Sequence, residues 1–362
     1  MTETLRWTPE WLVAPGEVLV EALEERGMSQ AELGRRMARP LKTISEIATG
    51  KAAITPETAI QLERTLGITA AMWLGLEARY REAQAREREA VELEEHVTWL
   101  KRFPMRELLS RGIVRRDSST PQQAAELLSF FGVSNPSGWA QHWGQIAASY
   151  RMSRRTRVSR FAVALWLRTA EREAESQPIP AFDRNRLRAI APALRSLSRA
   201  LVLGSAVDEA KEVLKSAGAG LLLIEGVTDA PASGAVRWVR GNPWIILTLR
   251  HKTDDQLWFS LLHEIGHLLE GIRRQEVAEE LPVGKLADPA EKAADDYARE
   301  ILLPEAELKV WLRNHSIDRQ TIRDLAASQG VAPGIVVGRL QRDGLIEPAR
   351  FNDLKRSLDP RG

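Results

Sequence analysis

The segment "SLLHEIGHLLE", residues 260–270, constrains the fold of this chain more than any other stretch. It places His263, Glu264 and His267 inside an otherwise apolar run. The apolar residues recur at helical spacing, and Ser260, His263, Glu264 and His267 fall at i, i+3, i+4 and i+7, so they share one face of a helix. Ionisable groups are costly on a buried helix unless they have partners, so this face indicates either satisfied core residues or a binding site.

Two histidines one turn apart on a helix can bind a single zinc ion through their imidazoles. His263 and His267 have this spacing, and Glu264 is adjacent to both, where it can act as a general base. The alternative is a pair of hydrogen-bonded core histidines, or an HExxH pattern that arose by chance. We predict a Zn²⁺ site, although the ligand types alone leave manganese open.

A catalytic zinc site needs a third protein ligand. The other histidines (His96, His142, His251 and His315) do not stand in the extended HExxHxxGxxH spacing, because Glu270 and Arg273 occupy the relevant positions. A carboxylate is therefore required, and Glu291 in "DPAEKAADDYAREILLP" is the best candidate.

Glu291 lies on the apolar stripe of a predicted helix within residues 288–304. It also follows Asp288 and Pro289 at the spacing of an N3 capping residue, so ligand and cap both remain open. Asp295, one turn later, is predicted to accept a hydrogen bond from a ligand imidazole, or alternatively to pair with Arg299.

Two apolar runs of strand length, "GLLLIEGV" and "WIILTLR", precede the HExxH segment. The second run is expected either to pair with an extended substrate at a sheet edge or to be an interior strand.

The N-terminal residues predict a short helix, a tight turn and a second helix. Ser29 and Glu32 form a capping box, Ala38 and Arg39 form the turn, and Pro40 suits the start of the next helix. That next helix directs four residues outward near its start, namely Leu41, Lys42, Ser45 and Glu46. This is helix-turn-helix geometry, in which the start of the second helix enters the major groove. The alternative is a plain helical bundle.

Basic residues around this turn are candidates for contacts with DNA phosphates, and they are Lys42, Lys51, Arg35 and Arg36. The formal net charge is only +2, so nucleic-acid binding must be confined to a local patch. The middle of the chain is charged and helical. Its arginine run "RRTRVSR" is expected to be either a second DNA surface or a solvated face, and Trp139, Trp143 and Trp166 are expected in the core.

The sequence contains no cysteine, which excludes disulfides and cysteine-ligated zinc. It shows neither a signal-peptide pattern nor an apolar run long enough to cross a bilayer. We therefore expect a soluble cytoplasmic protein without a membrane partner.

Residues 14–82, with "SQAELGRRM", "KTISEIATGKAAITPETAIQLERTLG" and "MWLGLEARY", resemble the XRE-type helix-turn-helix of HigA-like antitoxins. The resemblance implies a five-helix lambda-repressor-like domain that binds double-stranded operator DNA, in which Gln30, Lys42, Thr43 and Ser45 approach the DNA. It further implies a possible homodimer on a palindromic site. Ala38 departs from the glycine common at this turn.

Residues 205–345 resemble the ImmA/IrrE family of zinc metallopeptidases, through "HEIGH", "AEKAADDYAREILLP" and "GVAPGIVVGRLQRDGLI". The resemblance implies a zincin-like domain with a small sheet, in which His263, His267 and Glu291 bind zinc and Glu264 is the general base. It also implies a regulatory protein as substrate, often an XRE-type repressor. Ala293 stands where relatives often carry a second glutamate.

These observations predict a mainly α protein with a smaller α+β part. The predicted boundaries are a helix-turn-helix domain at 14–82, a helical connecting region at 83–200, a peptidase domain at 201–345 and a tail at 346–362. The predicted function is a DNA-binding regulator that hydrolyses a peptide bond in a repressor-type protein. The alternative is an antitoxin-like autoregulatory repressor whose peptidase-like domain is a non-catalytic sensor.

Overall fold

The computed structural model describes residues 13–95, 97–149, 159–200, 202–230, 234–248, 253–271 and 289–357. Several residues of the sequence analysis therefore lie outside the described part of the chain. They are His96, His251, Arg273 and Asp288, together with Arg154, Arg155 and Arg157 of the run "RRTRVSR". The described chain is mainly helical and contains one three-stranded sheet. It forms two compact units, one built on residues up to 98 together with 118–125, and the other on 99–117 and the residues from 126 onward.

Five helices make up most of the first unit. They are α1 (Pro15–Glu25), α2 (Gln30–Arg36), α3 (Leu41–Ala48), α4 (Pro56–Leu66) and α5 (Ala70–Glu95). Their ends follow from local chemistry: the Ser29 and Thr55 hydroxyls each accept a hydrogen bond from a backbone N–H of the first turn, and Gly67 ends α4 in the left-handed conformation. The resemblance's implication of five helices is confirmed, and α5 continues past residue 82 to Glu95.

The core of this unit is a single apolar cluster on the inner faces of these helices. Leu19, Leu33, Ile44, Leu62 and Trp73 are fully buried in it. Burial of side chains this large is the main source of stability in a small helical domain.

The chain between the two cores and through the middle region is also helical. Its helices are α6 (Val97–Leu100), α7 (Met105–Ser110), α8 (Thr120–Phe131), α9 (Pro136–Trp139), α10 (Gln145–Ser149), α11 (Arg160–Glu175), α12 (Arg184–Ile190) and α13 (Leu194–Leu197). A π-helical turn, Ala140–Gly144, joins α9 to α10. The three predicted core tryptophans (Trp139, Trp143 and Trp166) are buried, and Trp139 stacks on Phe161 with ring centroids 4.7 Å apart.

The remaining elements form the C-terminal half. The helices are α14 (Leu203–Ser216), α15 (Asp254–Glu270), α16 (Pro289–Leu302), α17 (Glu305–Asn314), α18 (Arg319–Gln329) and α19 (Pro333–Arg342). The strands are β1 (Gly220–Ile224), β2 (Gly234–Val239) and β3 (Asn242–Thr248).

The sheet has the order β1-β3-β2, with β1 parallel and β2 antiparallel to β3. The run "WIILTLR" supplies β3, so the expectation that it pairs with substrate at a sheet edge is wrong. Both edges of β3 are already hydrogen-bonded to neighbouring strands, and its residues are almost all buried, which confirms the interior-strand alternative. Strands β1 and β2 are the outer strands of the described sheet.

Helices cover both faces of this sheet. Arg237 on β2 donates a hydrogen bond to Glu171 on α11, at 3.1 Å, so this side chain points toward α11. Gly234, three residues earlier on β2, points to the opposite face, because side chains alternate along a strand. There it meets Glu264 on α15.

The N-terminus of α15 is held by a segment close to the end of the chain. Asp254 is fully buried, and its carboxylate accepts hydrogen bonds from the Arg356 backbone N–H at 3.1 Å and from the Arg356 Nε at 3.0 Å. Lys355 Nζ donates to Asp255 at 2.8 Å. Thr253 is the N-cap residue of α15, but its hydroxyl donates to the Asp255 carboxylate and does not cap the backbone.

Burial raises the pKa of Asp254 above its ordinary value, and the hydrogen bonds from Arg356 oppose that rise. Two glycines of α19 make room for the acidic pair. A Cβ atom at Gly334 would collide with the Asp254 carboxylate, and one at Gly338 would collide with Asp255. Helix α19 can therefore lie directly on the first turn of α15.

Of the helices in the described ranges, none combines the length and the apolar composition that a membrane span requires.

Candidate metal centre and nucleic-acid interface

Helix α15 presents the HExxH residues on a partly enclosed face. Glu264 and His267 are buried, with 5% and 2% of their surface exposed, while His263 is partly buried. The apolar neighbours Leu261, Leu262 and Ile265 cover the rest of the helix and are buried. The polar stripe predicted from the sequence therefore lies at a boundary of the core, where ionisable groups need partners.

Three side chains converge at this face. His263 Nε2 lies 3.1 Å from His267 Nε2 and 3.3 Å from Glu291 Oε2. His267 Nε2 lies 3.5 Å from Glu291 Oε1. The structure thus brings together the two histidines of α15 and the glutamate of α16 that the sequence analysis proposed as ligands.

These separations are those expected around a tetrahedral ion. With bonds of about 2.0–2.2 Å to nitrogen and oxygen, the donor atoms of a tetrahedral zinc site are about 3.3–3.5 Å apart. The donor atoms of His263, His267 and Glu291 are 3.1–3.5 Å apart, which matches that geometry. Two imidazoles and one carboxylate also leave a coordination position for water or substrate. The residues fit a divalent metal ion.

Glu291 had a second interpretation as a capping residue at the start of α16. Helix α16 begins at Pro289, which places Glu291 at N3, and the residue that it would cap lies outside the described residues. The carboxylate reaches both histidines, so the ligand interpretation has direct geometric support.

Asp295 lies beside the cluster, on the same face of α16 as Glu291. Its Oδ1 accepts a hydrogen bond from His263 Nδ1 at 2.9 Å. The alternative pairing with Arg299 is wrong, because Arg299 pairs with Asp296 at 3.5 Å. A carboxylate on Nδ1 fixes the imidazole as the tautomer whose Nε2 carries a lone pair, which is the form that binds a metal.

The two helices that carry the cluster pack unusually closely at one point. A Cβ atom at Gly266 would lie 2.9 Å from the Ala294 Cα and 3.3 Å from its Cβ. Gly266 is thus the position on α15 that lets α16 approach. This close approach brings Glu291 within reach of both histidines.

The Glu264 carboxylate lies against the start of β2. A Cβ atom at Gly234 would lie 2.8 Å from Glu264 Oε1, so the absence of a side chain at 234 gives the carboxylate its space. Glu264 therefore projects from α15 against the start of β2, and it is adjacent in sequence to His263, one of the three residues that converge.

Several residues at this site were not found by the sequence analysis. Gly234, Gly266 and Arg342 are examples, and Arg342 donates a hydrogen bond to Asp295 Oδ2 at 2.8 Å. A glycine within an apolar helix was the available signal for Gly266. Nothing in the local sequence links Arg342 to a residue 47 positions earlier.

The first unit presents a separate candidate site. Helices α2 and α3 are joined by a tight turn in which Ala38 has a φ of 51°, the left-handed conformation that glycine adopts more readily. Gly34 also allows close packing here, since a Cβ atom would lie 2.9 Å from the Arg39 carbonyl oxygen. The predicted turn is thus formed with alanine in place of glycine. Pro40 precedes α3 as its N-cap residue.

The start of α3 faces outward. Leu41 is 53% exposed and the Lys42 side chain is 84% exposed, while Ile44 and Ile47 on the opposite face are buried in the core. Thr43, Ser45 and Gln30 are partly exposed, and Lys51 is exposed. Among the predicted phosphate contacts, Arg35 and Arg36 are exposed, and Arg36 forms an ion pair with Glu32 at 2.5 Å.

The helix-turn-helix family model named HTH_3 matches residues 19–73. A curated relative is the uncharacterized HTH-type transcriptional regulator YddM of Escherichia coli strain K12. It is 41% identical over 71 residues, which are 20% of this chain and 76% of that protein. The chain belongs to the helix-turn-helix family. Its N-terminal helix-turn-helix domain is of the XRE type, a DNA-binding module of transcription regulators.

Two solved structures are similar to part of this chain. One is an addiction module antidote protein of the HigA family from Coxiella burnetii, with 30% identity, 23% of this chain and 92% of that chain covered, and a TM-score of 0.22. The other is a putative antidote protein of a plasmid maintenance system from Nostoc punctiforme, with 28% identity, coverage of 23% and 91%, and a TM-score of 0.23.

Proposed function

We propose that this helix-turn-helix regulator carries a metal-dependent peptidase centre, which hydrolyses a peptide bond in a regulatory protein of the repressor type. The observation that supports it is the convergence of His263, His267 and Glu291 with donor spacings of 3.1–3.5 Å, beside a buried glutamate on the same helix. Zn²⁺ is the ion that this donor set and geometry favour.

Each protein group has a definite task in this proposal. His263, His267 and Glu291 would hold a divalent ion, which would supply Lewis acidity for the scissile carbonyl and for the attacking water. Glu264 takes a proton from the attacking water and delivers it to the leaving amine. Asp295 keeps the His263 ring oriented so that its Nε2 faces the ion.

We place the substrate next to the start of β2. In the described sheet, β2 pairs with β3 along one side, and its first residue, Gly234, lies against Glu264. A scissile peptide bond held next to Gly234 would lie beside Glu264, the proposed general base.

The helix-turn-helix domain would bring this activity to operator DNA. We propose that Leu41, Lys42, Thr43 and Ser45 of α3, with Gln30 and Lys51, contact operator DNA, and that the protein binds as a homodimer. A substrate of the XRE repressor type would then be met where both proteins occupy DNA. Cleavage of a second copy of this chain is a special case of the same chemistry.

The test combines metal content with the detection of cleavage. Wild-type, Glu264→Gln and Glu291→Ala proteins are purified side by side and analysed for bound metal. We expect about one zinc per chain in the wild type and in Glu264→Gln, and loss of zinc in Glu291→Ala. A lysate incubated with the wild type should contain new protein N-termini that are absent with Glu264→Gln, as mapped by mass spectrometry.

The outcomes separate the two candidate functions. A wild-type protein that neither contains nor takes up metal would exclude the peptidase centre. A protein that binds metal and yields the same N-termini as Glu264→Gln would instead be a metal-binding repressor without catalysis, the antitoxin-like alternative.

A further inference from the structure

A third helix reaches the metal site through a single side chain. Arg342, the last residue of α19, donates from Nη2 to Asp295 Oδ2 at 2.8 Å. The other oxygen of that carboxylate, Oδ1, accepts from His263 Nδ1 at 2.9 Å. One carboxylate therefore joins a metal-ligand imidazole of α15 to a guanidinium of α19.

The guanidinium is held from a second direction as well. Its central carbon lies 4.1 Å from the centroid of the Phe259 ring. Phe259 is one turn before His263 on α15, and the two rings are 6.2 Å apart. A guanidinium stacked on an aromatic face and hydrogen-bonded at its edge has little freedom to move.

Among the described residues, Arg342 is the cation that pairs with Asp295. The two cations of the same helix, Lys292 and Arg299, both pair with Asp296. The Asp295 side chain is 25% exposed, so without a second partner it would exchange between water and the imidazole. Arg342 prevents that exchange by occupying Oδ2.

We propose that Arg342 is a positioning residue of the metal centre. Clamped between Phe259 and Asp295, it fixes the plane of the carboxylate, which in turn fixes the ring of His263 and directs its Nε2 at the ion. This inference rests on the metal site of the proposed function and adds to it a residue that touches neither metal nor substrate. Partners of this kind change metal affinity by about 10- to 100-fold when they are removed.

The arrangement also explains why an arginine is needed. Lysine would retain the charge but would neither stack its head group flat on Phe259 nor present a planar donor edge to the carboxylate. Arg342→Lys should therefore weaken zinc binding nearly as much as Arg342→Ala does. With a purely electrostatic role, Arg342→Lys would bind zinc almost as tightly as the wild type.

The test measures zinc affinity directly, by competition with a chromophoric chelator, in full-length wild type, Arg342→Ala, Arg342→Lys, Asp295→Ala and the double variant Arg342→Ala/Asp295→Ala. We expect zinc binding about tenfold weaker for Arg342→Ala. Because Arg342 acts through Asp295, the double variant should bind zinc no more weakly than Asp295→Ala alone.

Arg350→Ala is the matched control. Arg350 also lies over a phenylalanine, Phe351, at 4.8 Å, so its removal deletes a similar cation–π contact away from Asp295. Its zinc affinity should equal that of the wild type. The visible spectrum of bound Co²⁺ provides a second measure, since a reoriented His263 alters the absorption bands in Arg342→Ala.

The results distinguish this proposal from the one on which it rests. If the wild type does not bind zinc, both are wrong. If the wild type binds zinc and Arg342→Ala binds it equally tightly, or if the two substitutions weaken binding additively, the positioning role alone is overturned. Thermal unfolding of each variant identifies any that are misfolded, and Arg342→Lys then carries the comparison.

Discussion

Gly266 on α15 packs against Ala294 on α16, and a Cβ atom at position 266 would lie 2.9 Å from the Ala294 Cα. The two helices that carry the candidate ligands are thus in backbone contact. Substituting Gly266 by alanine should force them apart and move Glu291 away from the histidines. We expect a loss of about 1–3 kcal/mol in the free energy of unfolding, together with weaker zinc binding.

Gly75 provides the control for that prediction. It lies within α5, in the second turn, and a Cβ atom there would meet nothing within 4 Å. Gly75→Ala should therefore be neutral or stabilise by up to about 1 kcal/mol. Urea unfolding of both variants makes the comparison, and equal effects of the two substitutions would refute the close-approach argument.

The turn between α2 and α3 should be stabilised by restoring glycine. Ala38 holds a φ of 51°, which is costly for any residue with a Cβ atom. Ala38→Gly should raise the stability of the helix-turn-helix unit by about 0.5–1 kcal/mol after the entropy cost of glycine is included. Ala78→Gly, at an exposed position within α5, should instead lower it by about 1 kcal/mol. Thermal unfolding measures both variants. If Ala38→Gly and Ala78→Gly shifted the melting temperature in the same direction, the argument that Ala38 is strained would be wrong.

Burial raises the pKa of Asp254, so the folded protein binds a proton at this carboxyl more tightly than the unfolded chain does. The stabilising contribution is therefore complete below the unfolded pKa of about 3.9 and is lost as the pH rises through the higher folded value. The difference in unfolding free energy between wild type and Asp254→Asn should accordingly fall from pH 4 toward neutrality in a urea series.

Asp353→Asn supplies a control of opposite sign. A hydrogen bond from Arg319 lowers the pKa of Asp353 below its ordinary value. Its contribution is present above the unfolded pKa and is lost on acidification. If the Asp254 difference instead rises with pH, the ion pair with Arg356 outweighs the burial.

Lys42 should contribute to DNA affinity without contributing to sequence choice. Its side chain is 84% exposed at the start of α3, and its ion pair with Glu46 is long, at 3.8 Å. Lys42→Ala should weaken binding to mixed-sequence duplex DNA and reduce the slope of log K against log salt by about 1. Lys309→Ala, an exposed lysine on α17, should leave both quantities unchanged. Fluorescence anisotropy over a range of salt concentrations provides the measurement.

The parts of this molecule that were predictable from sequence are those determined by local periodicity. The spacing of His263, Glu264 and His267 specified one helix face, and Ser29 with Glu32 specified the start of α2. Glu291 followed from the chemical requirement for a third ligand.

The parts that were missed depend on contacts between residues far apart in sequence. For the run that supplies β3, the sequence left both an edge position and an interior position open, because strand order is not a local property. Arg342 on α19 meets Asp295 on α16, and on the same helix α19 the glycines Gly334 and Gly338 allow close packing on the first turn of α15. The spacing of the two glycines is visible in the sequence, but the side chains of Asp254 and Asp255 that fill the space beside them cannot be read from it.

The hydrogen bonds from Lys355 and Arg356 to the first turn of α15 also imply an order in which parts of the chain can fold during synthesis. The helix-turn-helix core is complete once Trp73 has left the ribosome. The buried acidic residues of α15 must wait for partners that follow them by 100 and 102 residues. At about 5–20 residues per second, the time between the synthesis of Trp73 and that of Arg356 is roughly 15–60 s. Each newly made chain therefore passes through a period in which it can already find DNA while the first turn of its histidine-bearing helix is not yet secured.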